Sequence, residues 1–223
     1  MDGITLVIMT DGRKQYLTRT IDSLYQLHTF FNQKIIHDDS GDPEFSAWLR
    51  RTFLEFEIYS TGQKSGFAGA YNSAWNYLRN NCINDWIFFT EDDFVFTRPV
   101  NIYTMIEVME NNPHIAQMAL RRQPWNDQER AAGGIVEQYP NDYTDRTDGK
   151  FNWLEHRRFF TTNPSLLRMS LIDERDWPNV PNSEGMFSIE LFTDPNLVSG
   201  FWGARDSGEW VEHIGVERTG IGY

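Results

Sequence analysis

Apolar and polar positions in the first half of the chain fall into short apolar runs that alternate with segments of helical period. "ITLVIMT" (4–10) is an apolar run closed by Asp11-Gly12, the pattern of a buried strand. Leu17, Ile21, Leu24 and Tyr25 then recur at helical spacing. "KIIHDD" (34–39) predicts a second strand, and after the turn-rich "SGDP" a helix face is lined by Phe45, Trp48, Leu49, Phe53 and Phe56. "FEIYST" (56–61) reads as a third strand, and "GFAGAYNSAWNYLRN" (66–80) as a helix opened by glycines. "DWIFFTE" (85–91) is a fourth strand, Ile102, Met105, Ile106 and Met109 mark another helix, and "IAQMAL" (115–120) closes the series.

The second half is less regular. Residues 121–150 are polar, carry Gly133-Gly134 and show little periodicity, which predicts a long functional or mobile loop. "NPSLLRMSLI" (163–172) and "GMFSIELFTD" (185–194) read as short helices. "VSGFWGARD" and "EWVEHIGVERTGIGY" read as strand-like and glycine-rich pieces. There is no repeat and no low-complexity tract.

Strand and helix alternating at this spacing predict right-handed βαβ units, an α/β fold with a mostly parallel sheet flanked by helices. Ligands of such sheets sit outside the carboxyl ends of the strands. Two acidic groups, Asp38-Asp39 and Glu91-Asp92-Asp93, fall at those ends.

Length and charge narrow the possibilities. The 223 residues suit a single domain with a sizeable core. Twenty Lys and Arg against 32 Asp and Glu leave a formal charge of −12, a poor match for a nucleic-acid backbone. The basic clusters lie near Arg13, before Thr52, at Arg121-Arg122 and at Arg157-Arg158, and the first two read as solvated faces. One cysteine, Cys82, excludes an internal disulfide. With no apolar stretch of membrane-spanning length and no signal-like start, a cytoplasmic protein without stable membrane insertion is expected.

Three adjacent carboxylates cannot all leave water without a compensating cation. Along an extended segment Glu91 and Asp93 point to one side and Asp92 to the other. Oxygen ligands of this kind suit Mg²⁺ or Mn²⁺ together with substrate phosphates. The bland alternative is a solvated acidic turn, against which stand the apolar strand before the triplet and Phe94, Val95 and Phe96 after it. Gly66, Ala68, Gly69 and Ala70 open a helix whose N-terminus favours phosphate, with Lys64 and Asn72 within reach; alone that signal is equally one of packing.

Taken together, these pieces resemble a GT-A-type glycosyltransferase, most similar to the family-2 group that uses nucleotide-sugar donors. "VIMTDGR", "IIHDDSGD", "GFAGAYNSAW" and "FFTEDDFVF" match that family's opening strand, its acidic turn, its Gly-x-Ala-x-Ala-x-Asn helix start and its Asp-x-Asp motif, in order, over roughly the first 100 residues. Glu91 departs at the first acidic position and resembles the Glu-Asp-Asp version of some N-acetylglucosaminyltransferases. The resemblance implies a GT-A, Rossmann-like single domain. It sets Thr10, Asp38 and Asp39 at the nucleotide base, with Asp39 bonding a uracil, and Asp92 near the ribose. It implies Asp93 as ligand of the metal bridging two phosphates. His213, in "VEHIG", is implied as a further metal ligand or phosphate contact, although a lone His is more often structural. Glu184 is implied as the general base, with Glu190 as runner-up; Gly185 replaces the acidic partner the family usually carries beside the base. Trp153, Trp177 and Trp202 could stack on a sugar, against the ordinary role of Trp in a core.

The expectation is therefore a metal-dependent (Mn²⁺ or Mg²⁺) glycosyltransferase, inverting, moving a sugar from a nucleotide-sugar, here a UDP-sugar, to a hydroxyl acceptor. Residues 1–120 would form the nucleotide-sugar half and 121–223 the acceptor half of the same domain. A nucleotidyltransferase, or a noncatalytic module that binds a nucleotide-sugar or carbohydrate, is the alternative. The acceptor stays open between a saccharide, a protein, a small molecule and a modified DNA base.

Overall fold

A computed structural model describes residues 3–215. The first four strands are β1 (Ile4–Thr10), β2 (Gln33–Asp38), β3 (Glu57–Ser60) and β4 (Trp86–Glu91). Between them lie α1 (Lys14–Ser23), α2 (Pro43–Thr52) and α3 (Gly66–Asn81). β5 (Phe94–Phe96), α4 (Ile102–Asn111) and β6 (Ile115–Ala119) follow. The remainder runs α5 (Asp127–Ala132), α6 (Ile135–Gln138), β7 (Tyr143–Thr147), β8 (Asn152–His156), β9 (Ser165–Arg168), α7 (Met169–Glu174), α8 (Ser183–Leu191), β10 (Val198–Trp202) and β11 (Val211–His213).

Nine strands form one sheet in the order β3-β2-β1-β4-β9-β6-β10-β8-β7, and β5 pairs with β11 in a small second sheet. The pairings of β3, β2, β1 and β4 are parallel, as is that of β6 with β10. β9 runs antiparallel to both β4 and β6, and β8 runs antiparallel to β10 and β7. This is the α/β sheet the periodicity predicts, with two reversed strands.

The central strands are apolar on both faces because both faces are covered. Ile4, Leu6 and Ile8 of β1 join Trp86 and Phe88 of β4 in a core beneath Leu17, Phe45, Leu49 and Met105. Val7 and Met9 join Ile87 and Phe89 on the opposite face, beneath Ala70, Ala74, Trp75 and Leu78 of α3 and Phe187 and Leu191 of α8. A smaller cluster of Val136, Tyr143, Leu154 and Phe201 underlies the C-terminal end of the sheet. Local signals set the helix ends. Asp42 caps α2 by accepting from the Glu44 N–H at 2.8 Å, Pro43 occupies its first turn, and Arg50 and Arg51 close its last.

Three expectations need correction. Residues 165–168, read as helix, form β9 between β4 and β6; the reading holds only from Met169 onward, as α7. A four-residue strand flanked by a helix has no period of its own, so its partners decide its conformation. Residues 121–150 are folded into α5, α6 and a hairpin strand, β7, and are not one long loop. Buried Glu129 organises that segment, accepting from Arg122, the Trp125 N–H and Asn126. Trp153, Trp177 and Trp202 are all buried core residues. Of the glycine-rich tail, residues 216–223 lie outside the described residues.

Candidate active site

The carboxyl ends of β1 and β4 meet the start of α3 and the start of α8 around a cleft of about 670 Å³. Glu91, Asp93, Arg13, Arg122, Trp125, His213 and Glu184 line it. The alternation expected for the acidic triplet holds in its outcome: Glu91 and Asp93 face the cleft, while Asp92 is turned inward and fully buried.

Asp92 is fixed by its surroundings. Its N–H donates to the Met9 carbonyl at 2.9 Å, its carbonyl accepts from the Thr20 hydroxyl, and its carboxylate accepts from the Thr10 hydroxyl at 2.6 Å. Burial pushes the Asp92 carboxyl up to about 7, against the pull of Arg13. The Arg13 guanidinium bridges three aspartates, reaching Asp92 at 2.5 Å, Asp93 at 2.8 Å and Asp11 at 2.7 Å. Burial lowers its proton affinity, but the three aspartates more than reverse this. Arg13, in a cluster read as a solvated basic face, thus supplies the internal counter-charge of the site, while Lys14 and Gln15 are exposed. Glu91 accepts from the Tyr71 hydroxyl at 3.1 Å, and burial, then repulsion from Asp93, drives its carboxyl far above the usual range.

Asp93 behaves differently. Burial would raise it, but hydrogen bonding to His213 and the charge of Arg13 hold it below the ordinary carboxylate range. Its Oδ1 is buried with no hydrogen-bond partner. His213 Nε2 lies 3.3 Å from Asp93 Oδ2. That meeting of residues 120 positions apart follows from β11 folding back on β5, with His213 in register with Phe94. The imidazole is held between Phe94 at 4.6 Å and Trp125 at 4.1 Å, and Gln123 exchanges hydrogen bonds with its backbone. Gly215 closes over the pair: a Cβ there would fall 2.0 Å from Asp93 Oδ2.

The bare Oδ1 and the neighbouring imidazole fit a divalent cation that takes its other ligands from phosphate and water. Among the described residues no group of three or more His, Cys, Asp and Glu side chains is assembled to enclose one. Any ion here therefore depends on substrate oxygens for a full shell.

Across the cleft, Glu184 sits in the first turn of α8 and accepts the Thr162 N–H at 2.7 Å. That donor is itself positioned. Fully buried Gln117 on β6 donates to the Thr161 carbonyl at 2.6 Å and accepts the Thr161 N–H at 3.0 Å. Asn182, just before α8, is the one non-glycine among the described residues with positive φ, at 55°, and it lines the same cleft. The absence of an acidic residue at 185 has a steric reason: a Cβ there would meet the Asn182 amide at 2.5 Å. Glu190 lies six residues further on the same helix, exposed and away from the cleft, so the structure does not bring it to the site.

The other expected donor residues divide. Thr10 is in the network around Asp92. Asp38 is fully buried and accepts from the Ser40 N–H and the Ser46 hydroxyl. Asp39 accepts from the N–H groups of Ser65 and Gly66, both at 2.9 Å, and from the Ser65 hydroxyl. It therefore caps α3 at the position where a phosphate was expected to bind; Gly66 is at φ +72°, where only glycine sits without strain. Phe67 and Ala68 of that first turn still line the cleft. Lys64 stands 3.6 Å from Asp11. Asn72 is not at the cleft but donates to the Trp177 carbonyl at 2.9 Å, tying α3 to the segment before α8.

The sequence profile of glycosyl transferase family 2 matches residues 5–176, and the chain belongs to that family. This makes it a glycosyltransferase by class. No curated protein matches it in sequence. Among solved structures it is similar to the mannosyltransferase PcManGT from Pyrobaculum calidifontis in complex with GDP-Man and Mn²⁺. There the TM-score is 0.65 at 10% identity, covering 98% of this chain and 58% of that one. It is also similar to S. aureus TarS 1–349 in complex with UDP, with a TM-score of 0.60 at 14% identity, over 94% of this chain and 60% of that one. GalNAc-T7 with UDP, GalNAc and Mn²⁺ matches with a TM-score of 0.64 at 10% identity, over 96% of this chain and 43% of that one. This chain thus spans less than two thirds of each of those proteins. At these identities the likeness carries the fold, which is GT-A. No described helix is long and apolar enough to cross a membrane.

Proposed function

We propose that this chain transfers a sugar from a UDP-sugar to a hydroxyl acceptor with inversion at the anomeric carbon. The observation that carries this reading is one cleft lined on one side by Asp93, with its bare Oδ1 beside His213, and on the other by Glu184. Asp93 and His213 would hold Mn²⁺ or Mg²⁺, which supplies stabilisation of the charge that builds on the departing diphosphate.

The chain's own residues do the rest. Thr10, Arg13 and Thr20 hold Asp92 rigid near the ribose end, and Asp38 and Asp39 shape the base end by fixing the turn before α2 and the start of α3. Lys64, which pairs with Asp11, would meet phosphate. Glu184, aimed by the Thr162 N–H, takes the proton from the acceptor hydroxyl as its oxygen bonds to the anomeric carbon. The bond from that carbon to the diphosphate oxygen breaks, and its electron pair leaves on UDP. Residues up to 120, joined by His213 at the metal, would serve the donor and the others from 121 the acceptor, with β9 of the second half inserted between β4 and β6 of the first.

Incubation with a panel of UDP- and GDP-sugars, with free nucleotide as the readout, tests the proposal. Nucleotide released from UDP-sugars in the presence of Mn²⁺ is the expected result. Release only from GDP-sugars would overturn the choice of donor, and release of pyrophosphate would overturn glycosyl transfer.

A further inference from the structure

A second pocket of about 310 Å³ adjoins the main cleft, and Arg122, Thr161, Asn163, Asn182 and Glu184 line both. Glu184 therefore stands where the two meet. The apolar part of the second lining is Ile135 from α6, Phe159 and Phe160 after β8, and Phe201 from β10. Phe159 and Phe201 meet edge to face, with centroids 6.1 Å apart.

Most polar groups of this second chamber are already engaged. The Ser188 hydroxyl accepts the Phe160 N–H and donates to main-chain carbonyls. Arg122 is paired with Glu129 through two contacts, at 2.7 and 3.1 Å. Arg121 is the exception. It is only 5% exposed and lines this chamber, and its two terminal nitrogens donate to the carbonyls of Arg205 and Ala204 at 2.8 and 2.5 Å. Its Nε has no partner, and among the described residues no carboxylate forms an ion pair with it. Burial, the largest influence, lowers its proton affinity, while Glu137 and Asp206 pull one way and Arg98 and Arg205 the other. A buried cation with no carboxylate in direct contact is costly, and more conspicuous in a chain of formal charge −12.

We propose that this chamber holds the acceptor, and that the acceptor is a single-ring, largely apolar hydroxyl compound whose carboxylate settles on Arg121. The proposal rests on the reading of Glu184 as the base that receives the acceptor's proton. The volume lies at the low end of the roughly 300–1,000 Å³ of small-molecule sites, a match for one substituted ring. A sugar ring carries a hydroxyl on most carbons, and each would need a partner that phenyl walls do not provide. An aromatic or alicyclic body would instead pack on Phe159 and Phe201, with its hydroxyl toward Glu184 and its anion toward the one unpaired cation.

Three phenols that share a body and differ in end charge provide the test: 4-hydroxyphenylacetate, tyrosol and tyramine, with methyl glucoside as the sugar comparison. Binding is measured by saturation-transfer NMR and calorimetry on the full chain with UDP and Mn²⁺. The expected order is the acid about tenfold tighter than tyrosol, with tyramine weaker still, since a charge-assisted hydrogen bond is worth about that ratio. Arg121→Gln should erase the difference between acid and alcohol, and Phe159→Ala should weaken both equally. Equal binding of the three phenols, binding of none, or tighter binding of methyl glucoside would overturn the proposal. The ranking on the unaltered chain decides even if Arg121→Gln fails to fold. Titration of UDP into the chain with Mn²⁺ alone, before any phenol is added, separates the two readings: UDP binding without phenol binding sinks only the chamber, and no UDP binding sinks the donor reading beneath it.

Discussion

Asp38-Asp39 and Asp92-Asp93 stand at the ends of β2 and β4, the two strands that flank β1, and all four residues are buried. The first pair is satisfied by uncharged donors: the N–H groups of Ser40, Ser65 and Gly66 and the hydroxyls of Ser46 and Ser65. The second pair is held by side chains from elsewhere, Thr10, Arg13 and His213, and leaves Asp93 Oδ1 bare. Burial wins at Asp39 and lifts its carboxyl, while at Asp93 the cationic neighbours win and keep it low. An acidic pair at a strand end is therefore not a site by itself. It becomes one where its oxygens keep capacity that the fold has not consumed.

If that distinction is right, Asp93→Ala should lower turnover by a thousandfold or more and abolish Mn²⁺ binding by calorimetry, with the melting temperature nearly unchanged. Comparable turnover in Asp93→Ala and the unaltered chain would erase the distinction. On the far side of the cleft, Glu184→Gln should cost about 10² to 10⁴ in turnover while UDP affinity stays put, and Glu190→Gln should cost nothing. Loss of turnover in Glu190→Gln alone would move the base to the helix's outer face.

The β2 pair should instead show itself in stability. His37, beside Asp38, is lowered to about 4 by burial, which outweighs the opposing charge of Asp38. Unfolded, it would titrate near 6.5, so the unfolded chain takes up the proton first as pH falls. The protein should therefore lose stability between about pH 6.5 and 4, by about 3 kcal/mol from this residue. Urea midpoints for the unaltered chain and His37→Leu at pH 7 and 4.5 measure it; an equal loss in both would clear His37 of the effect. The smallest effect is expected of Asp39→Ala, which removes a helix cap at a cost of about 1 to 2 kcal/mol. Its turnover should fall far less than that of Asp93→Ala, and an equal fall would make the two pairs alike.

Much of this was legible because the central strands are covered on both faces and so read as short apolar runs. "ITLVIMT" before Asp11-Gly12 and "DWIFFTE" at the acidic triplet located β1 and β4 in that way, while the division of Leu6 and Ile8 from Val7 and Met9 between the two core faces shows only in the structure. The triplet was legible as a site because an apolar strand delivers it to the rim. Arg13 was not: near Asp11 and Lys14 it looks like any solvated charge, and only the approach of β4 to β1 puts Asp92 and Asp93 around it. The partners of Asp39 were hidden for the same reason, since the donors that occupy it come from residues 26 and 27 positions away. Gln117 and Thr162, which aim Glu184, act through a main-chain contact that residue identity does not encode.

β9 also has a consequence for how the molecule is made. The ribosome releases β4 and β6 long before Ser165–Arg168, yet these two strands never touch in the finished sheet except through that segment. Until it emerges, each presents an open row of N–H and C=O groups, the kind of edge that recruits foreign strands. A fragment ending at residue 120 would contain the acidic cluster of the cleft and still lack the strand that joins β4 to β6. Cutting this protein between its donor and acceptor residues would thus yield not a smaller binding domain but an unfinished sheet prone to self-association.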